Sequence, residues 1–589
     1  MRSISFLPLT LLLFGCDIRR PLGDDLQVRL VAPLAGAGTG SVHAAAAGQP
    51  TLRWKSSPQA QTYQLQVDDS CDAAATCDFP SPEIDETALV MTSFVPASPL
   101  PASSTAPFNR PYYWRVRACS GASCGEWSQT RHFVVGQDLA LNRDINGDGY
   151  PDFLVGAPES LSGNGQAFLY MGGPRLPSAA NKVISSAITL DGLGVAVAMA
   201  GDVNGDGYGD FLVRSVGNSE NVGTQVGRVL LFFGGPTLSD RPDIVFEGGA
   251  PDDENGSMAG CGDLNGDGYD DIAFGAVDID ADHHAIEPSR VEIHFGGPAM
   301  ASSPPLVLYG DSQPIVTDPV FGASILADFF GSSVSAAGDV NGDGYPDLIV
   351  GAHQGVPGGK GRIYYGGPGM DATPDVVLEY PTAQTAGGLY GFSVTGLGDI
   401  NGDGFADVAV GAPGADAFPP PIGRVYIYFG GLEPHTTPDI VLEGSHGGEW
   451  FGTMVAPLGD VDHDGYPDLA VMARGVESMP GDTELSMVPG SVLLYSLGQN
   501  GGQSPIANVP AGTTFSASGK AFAFNTSLAV LDVDGDAEPE ILVGQWDDRY
   551  SQVFGQVAIY NSRNNYVTPV RRLSGAKKGG DWFARAISR

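Results

Sequence analysis

Between residues 26 and 136, apolar and polar positions alternate over four short stretches, PTLRWKS, TYQLQVD, YYWRVRA and TRHFVV. In YYWRVRA, Tyr112, Trp114, Val116 and Ala118 fall on one face and Tyr113, Arg115 and Arg117 on the other, the period-two pattern of a half-buried strand. A length of about 100 residues, with Pro- and Ser-rich connections such as PASPLPASS, predicts a small β-sandwich. From residue 139 to 589 the pattern changes to short apolar runs such as LIVGA, each following a cluster of acids and glycines. Short runs of Val, Ile, Phe and Tyr between turn residues suit strands, so the whole chain reads as all-β.

The acidic clusters repeat one phrase seven times: DINGDGYPD from Asp144, DVNGDGYGD from Asp202, DLNGDGYDD from Asp263, DVNGDGYPD from Asp339, DINGDGFAD from Asp399, DVDHDGYPD from Asp460 and DVDGDAEPE from Asp532. Most starts lie about 60 residues apart, a spacing suited to propeller blades or arrays. Oxygen ligands at positions 1, 3 and 5 fold a short loop around one hard cation, glycine at 6 permits the sharp turn, and a carboxylate follows at 9. The candidate ligands are Asp144, Asn146, Asp148 and Asp152; Asp202, Asn204, Asp206 and Asp210; Asp263, Asn265, Asp267 and Asp271; and Asp339, Asn341, Asp343 and Asp347. The fifth and sixth loops add Asp399, Asn401, Asp403 and Asp407, and Asp460, Asp462, Asp464 and Asp468. So many oxygens favour calcium over magnesium, and closure at position 9 ahead of a strand sets the loop apart from a helix-flanked EF-hand. Asp/Asn/Gly turns also form without metal, but recurrence argues against that explanation. The seventh loop, Asp532, Asp534, Asp536 and Glu540, departs: Ala537 replaces the turn glycine and Glu540 the last aspartate, which leaves its occupancy open.

A second phrase precedes most loops, as in FFGSSVSAAGD, YGFSVTGLGD and WFGTMVAPLGD. With the GAP that follows several loops, it resembles the FG-GAP repeat of integrin α-subunit propellers, from about residue 139 to residue 589. The resemblance implies a seven-bladed β-propeller with calcium between the first and second strands of its blades, held by positions 1, 3, 5 and 9. Antiparallel strands then place connections 1–2 and 3–4 on one face, 2–3 and 4–1 on the other. The extra residues 278–288, 310–328 and 475–489 fall in connections of the second kind, opposite the calcium, and suggest a binding surface there. Within the first, His283 and His284 beside Asp278, Asp280 and Asp282 read as a solvated loop rather than a metal site. The terminal GGDWFARAISR aligns with GGEWFGTMVA, so it is expected to supply the strand missing before Asp144; a truncated eighth repeat is the rival. Trp54, with Tyr112, Trp114, Arg115 and Val116, is similar to a fibronectin type III domain, which implies structural roles and a spacer module.

Charge and cysteines add a setting. A net charge of −38 argues against a nucleic-acid partner, and its concentration in the loops points to bound cations. The opening MRSISFLPLTLLLFGC is too short to span a bilayer and resembles a bacterial lipoprotein signal over residues 1–16, which implies lipidation at Cys16 and an anchored protein of the cell envelope, facing the periplasm or the cell surface. The pairs Cys71 with Cys77 and Cys119 with Cys124 suit disulfides, and Cys261 a buried thiol. The expected function is non-enzymatic, a calcium-stabilised adhesion or binding protein for an extracellular protein or glycan. The alternatives are a propeller-based hydrolase or lyase acting on polysaccharide or lipid, for which no nucleophile motif is present, and a structural part of an envelope assembly.

Overall fold

The computed structural model describes residues 30–32, 37–41, 52–70 (less 55), 78–101 (less 99), 110–136 (less 122 and 129), 143–217, 227–247, 256–276, 289–311, 316–318, 322–324, 328–381 (less 355–357), 388–445 (less 416–421 and 434), 450–474 (less 462–465), 491–497, 524–546 (less 537), 555–574 (less 565, 567 and 568) and 586–588. Cys16, Cys71, Cys77, His283, His284 and the insertions at 278–288 and 475–489 lie outside the described residues.

The N-terminal strands form where alternation predicts them. Thr62–Asp68 pairs antiparallel with Arg110–Ser120, setting Tyr63 against Ala118 and Val67 against Trp114. Ile84–Leu89, Arg131–Gly136 and Ala37–Ser41 extend this sheet, while Leu30–Ala32, Leu52–Trp54 and Ser93–Phe94 form a second. Leu52 and Trp54 of the second sheet share one core with Tyr63, Leu65, Val67, Tyr112, Trp114, Val116 and Ala118 of the first. The Tyr112 hydroxyl, buried at one end, donates to the Pro101 carbonyl at 2.9 Å. The other face of the long strand is not bare. Arg115 lies 4.0 Å over the Phe79 ring and 4.6 Å over Trp127, and Arg117 lies 4.3 Å over Trp127, so the charged side is covered by cation–π stacking. Cys119 and Cys124 are disulfide-bonded, and Cys261 is free and buried.

From residue 143 seven sheets follow one another, six of four strands and the sixth of three among the described residues. The second is typical: Ala196–Gly201, Asp210–Ser215, Arg228–Phe232 and Ile244–Glu247 lie side by side in chain order, every pair antiparallel. The repeated phrase occupies the first hairpin and the apolar run the second strand, whose residues are all buried. In the first sheet that first place is taken from the far end of the chain. Ala586–Ile587 pairs antiparallel with Phe153–Ala157, matching Ile587 to Val155 and Ala586 to Gly156, and Ser588 bonds Leu154 at both its amide (3.1 Å) and its hydroxyl (2.9 Å). The terminal segment thus completes the first sheet instead of beginning an eighth repeat.

Each interval between sheets is filled by its own apolar cluster. Leu154 and Leu169 meet Met199 and Phe211 between the first and second sheets, and the succession continues through the seventh, whose Leu542 and Ile559 pack against Phe153 and Tyr170 of the first. The packing therefore runs in a closed cycle, consistent with propeller blades.

The glycines of the recurring FG and GA phrases meet across these intervals. A Cβ on Gly351 would sit 2.1 Å from the Gly391 carbonyl oxygen, and the pairs Gly156–Gly194, Gly275–Gly331 and Gly411–Gly452 are as close, at 2.0, 2.0 and 2.2 Å. The second member of each pair has φ between +86° and +89°, a region that glycine enters without strain. Sheet two breaks the rule with Arg214, whose guanidinium donates to the carbonyls of Gly256 (2.8 Å) and Gly275 (2.9 Å) in the third sheet and so bridges the same join. Part of the 310–328 insertion forms a small hairpin, Val316–Asp318 against Gly322–Ser324.

Candidate metal centres

The first five loops are each wound around their first aspartate. In the first, Asp144 Oδ1 accepts from the amides of Gly147 (2.7 Å) and Asp148 (3.0 Å), and Oδ2 from Gly149 (2.7 Å). The Asn146 side chain both accepts from the Asp148 amide (2.9 Å) and donates to Asp148 Oδ2 (3.0 Å), which draws positions 1, 3 and 5 together. Gly147 and Gly149, with φ of +76° and +89°, make the turn possible. Asp152 stands immediately before the strand Phe153–Ala157, fully buried, with Oδ2 accepting from Ile145 (2.9 Å) and Oδ1 from Gly172 (2.8 Å).

The arrangement recurs. Asp202, Asn204, Asp206 and Asp210 come together in the second loop, Asp263, Asn265, Asp267 and Asp271 in the third, and Asp339, Asn341, Asp343 and Asp347 in the fourth. In the fifth, Asp399 accepts from the Asp403 amide and Asp407 from Ile400, while Asn401 Oδ1 is buried with no hydrogen-bond donor. In the sixth, Asp468 accepts from Val461; Asp462 and Asp464 lie outside the described residues. The seventh brings oxygens of Asp532, Asp534 and Asp536 within 4.8 Å of one another, with Glu540 Oε2 accepting from Val533.

Burial dominates the electrostatics. It pushes the Asp202 and Asp263 carboxyls up to about 7 and Asp152 to about 8, and it drives Asp210, Asp271, Asp347 and Asp407 well above the ordinary carboxylate range, with the loop's other acids adding to the shift. A buried carboxylate in such company stays ionised only beside a cation. The donors are all oxygen, carboxylate and amide, the set that a hard divalent ion takes, and the orphaned Asn401 oxygen fits the same role.

Neighbouring loops are also joined to one another. The aromatic residue at position 7 covers the position-4 glycine of the preceding loop: a Cβ on Gly147 would lie 2.6 Å from the Tyr208 ring, with Tyr345 over Gly266 (2.3 Å), Phe405 over Gly342 (2.4 Å), Tyr466 over Gly402 (2.6 Å) and Tyr150 over Gly535 (2.5 Å). Main-chain bonds follow the same path, from Gly209 to Asp144 (2.9 Å), Asp270 to Asp202 (3.1 Å) and Ala406 to Asp339 (2.9 Å). Among the described residues, one further acidic group stands outside the repeats: oxygens of Asp68, Asp69 and Glu83 converge within 4.8 Å in the N-terminal module. A strand end meeting a residue from a later turn leaves no periodic trace by which it could have been foreseen.

These repeats match known ones. The FG-GAP repeat model matches residues 330–365 and 390–428, and the FG-GAP-like repeat model matches residues 144–213, so these stretches of the chain are similar to FG-GAP repeats. Part of the chain is also similar to integrin α subunits. Integrin alpha-5 of Xenopus laevis is 38% identical over 175 residues, 27% of this chain and 16% of that protein. Integrin alpha-7 of Homo sapiens is 30% identical over 327 residues, 52% of this chain and 26% of its own. The chain thus spans between about a sixth and a quarter of the length of these curated relatives, which are integrin α subunits rather than enzymes. Among solved structures, Sqt1 from Chaetomium thermophilum covers 65% of this chain and 71% of its own at 12% identity, with a TM-score of 0.33, too loose a likeness to bear on the architecture.

Proposed function

We propose that this chain is a calcium-stabilised adhesion or binding protein of the cell envelope, in which residues 139–589 form a seven-bladed propeller and residues 26–136 a fibronectin type III-like spacer. The recurring loop carries this reading: a buried position-9 carboxylate beside two further acids, with oxygen donors drawn together around the first aspartate. The closed cycle of packed sheets and the completed first sheet support the seven-bladed ring. Calcium in this account is structural, held at positions 1, 3, 5 and 9 of each of the first six loops. The opening residues 1–16 provide the lipid anchor at Cys16.

Recognition of a protein or glycan falls to the other face. Connections 2–3 and 4–1 lie at the strand ends opposite the acidic loops, and the insertions at 278–288, 310–328 and 475–489 belong to them. The test of the scaffold is thermal unfolding of the lipid-free protein with calcium and with a calcium chelator. Each independent site filled to 100-fold above its Kd adds about 2.7 kcal/mol, so chelation is expected to lower the Tm by many degrees. An unchanged Tm sinks the reading.

A further inference from the structure

The seventh loop differs from the others at positions that face one another. In the first five sheets the third strand is followed, one residue on, by a glycine pair, and the amide of the first glycine, Gly172, Gly234, Gly296, Gly366 or Gly430, donates to the position-9 carboxylate at 2.8–2.9 Å. In the seventh sheet the strand Gln556–Tyr560 runs instead into a 3-10 turn, Ser562–Asn564, which sets Ser562 and Arg563 where the glycines stand elsewhere. Glu540, at position 9, is fully buried, and its Oε1 has no hydrogen-bond partner. Position 3 is Asp534, where the first five loops have asparagine, so this group carries an extra negative charge. The Asp534 side chain is only 5% exposed, and its Oδ1 too is buried without a partner.

The compensating charge comes from the remodelled turn. Arg563 Nη2 lies 2.6 Å from Asp536 Oδ2 and 3.2 Å from Asp534 Oδ2, reaching positions 5 and 3 together. A guanidinium so placed neutralises part of the cluster and engages two of the carboxylates that a metal would need. The sequence adds that Ala537 stands where the other loops have their turn glycine. Loop, strand start and turn have all departed from the calcium-loop pattern in the sheet where Arg563 reaches the acids.

We propose that Arg563 stands in for the metal at the seventh loop, so that the ring binds one calcium fewer than it has loops. This rests on the calcium reading of the other loops, and the test separates the two. Calcium ions per chain are counted by native mass spectrometry of the lipid-free, calcium-loaded protein after desalting, for the wild type, Arg563→Gln, Asp536→Ala and, as a control in the second loop, Asp206→Ala. The expected results are one ion lost in Asp206→Ala, none lost in Asp536→Ala and one gained in Arg563→Gln. An ion lost in Asp536→Ala, or an unchanged count in Arg563→Gln, overturns the seventh-loop proposal. A wild type that holds no calcium overturns the reading of the other loops instead. Asp536→Ala keeps the proposal testable if Arg563→Gln does not fold.

Discussion

Replacing Asp152 by asparagine pits the cost of a buried acid against its use as a ligand, and the two act with opposite sign. Without metal, burial raises this carboxyl from its ordinary 3.8 to about 8. A folded-state value raised in this way contributes its full stability below about pH 4 and loses it as pH rises toward 8. At pH 7 the metal-free fold therefore carries a penalty of about 4 kcal/mol from this one group, at about 1.4 kcal/mol per unit. Asparagine removes that penalty. It also offers one acceptor where Asp152 uses two, for the amides of Ile145 and Gly172, and leaving one of them unmet costs about 1–3 kcal/mol. The metal-free variant is thus expected to be more stable than the wild type by about 1–3 kcal/mol at pH 7, with the advantage gone near pH 5. With calcium the order reverses, because the variant lacks its position-9 ligand. The assay is urea unfolding of both proteins at pH 7 and pH 5, with chelator and with calcium. A variant less stable by the same amount in all four conditions refutes the reasoning, since it would make Asp152 an ordinary hydrogen-bonding residue.

The remaining predictions address the ring. Gly351→Ala drives a methyl group toward the Gly391 carbonyl, 2.1 Å away, and is expected to destabilise by about 1–3 kcal/mol in urea unfolding with calcium present; a neutral result would mean that the join yields freely. Removing residues 581–589 takes away the strand paired with Phe153–Ala157. Amide exchange there should quicken while the fourth-sheet strand Asp347–Ala352 stays protected, and equal protection in both would show that the terminal pairing contributes nothing.

Much of this was legible because the informative contacts are local. The turn of Asp144, Asn146 and Asp148 is closed by bonds spanning two to five residues, so its geometry is written in nine consecutive letters. The period-two face of Tyr112, Trp114, Val116 and Ala118 likewise predicts its own burial. What could not be read was whatever crosses between repeats. FG and GA were visible as phrases, but their reason, Gly391 against Gly351, appears only once two sheets are packed. Tyr208 over Gly147 is of the same kind, a contact between positions 7 and 4 of different loops. Arg563 escaped notice because its meaning depends on register: only alignment with Gly173 on the first sheet shows that a turn glycine has become a charge. Arg115 and Arg117 were expected on an exposed face, but nothing in the alternation foretold the Trp127 ring stacked against them.

The strand that completes the first sheet also bears on how fast the molecule forms. Nearly every other pairing in the seven sheets joins neighbours in sequence, as when Ala198 meets Leu212, but Val155 must find Ile587. Closing a loop of that length costs about 3 kcal/mol more entropy than closing a hairpin, by the logarithmic dependence on loop length. The hairpins therefore assemble early and quickly, and ring closure comes late, as the slow step. Until it occurs, the edge of Phe153–Ala157 is an open template for the matching segment of another chain, so refolding at high concentration should favour exchanged dimers over closed monomers.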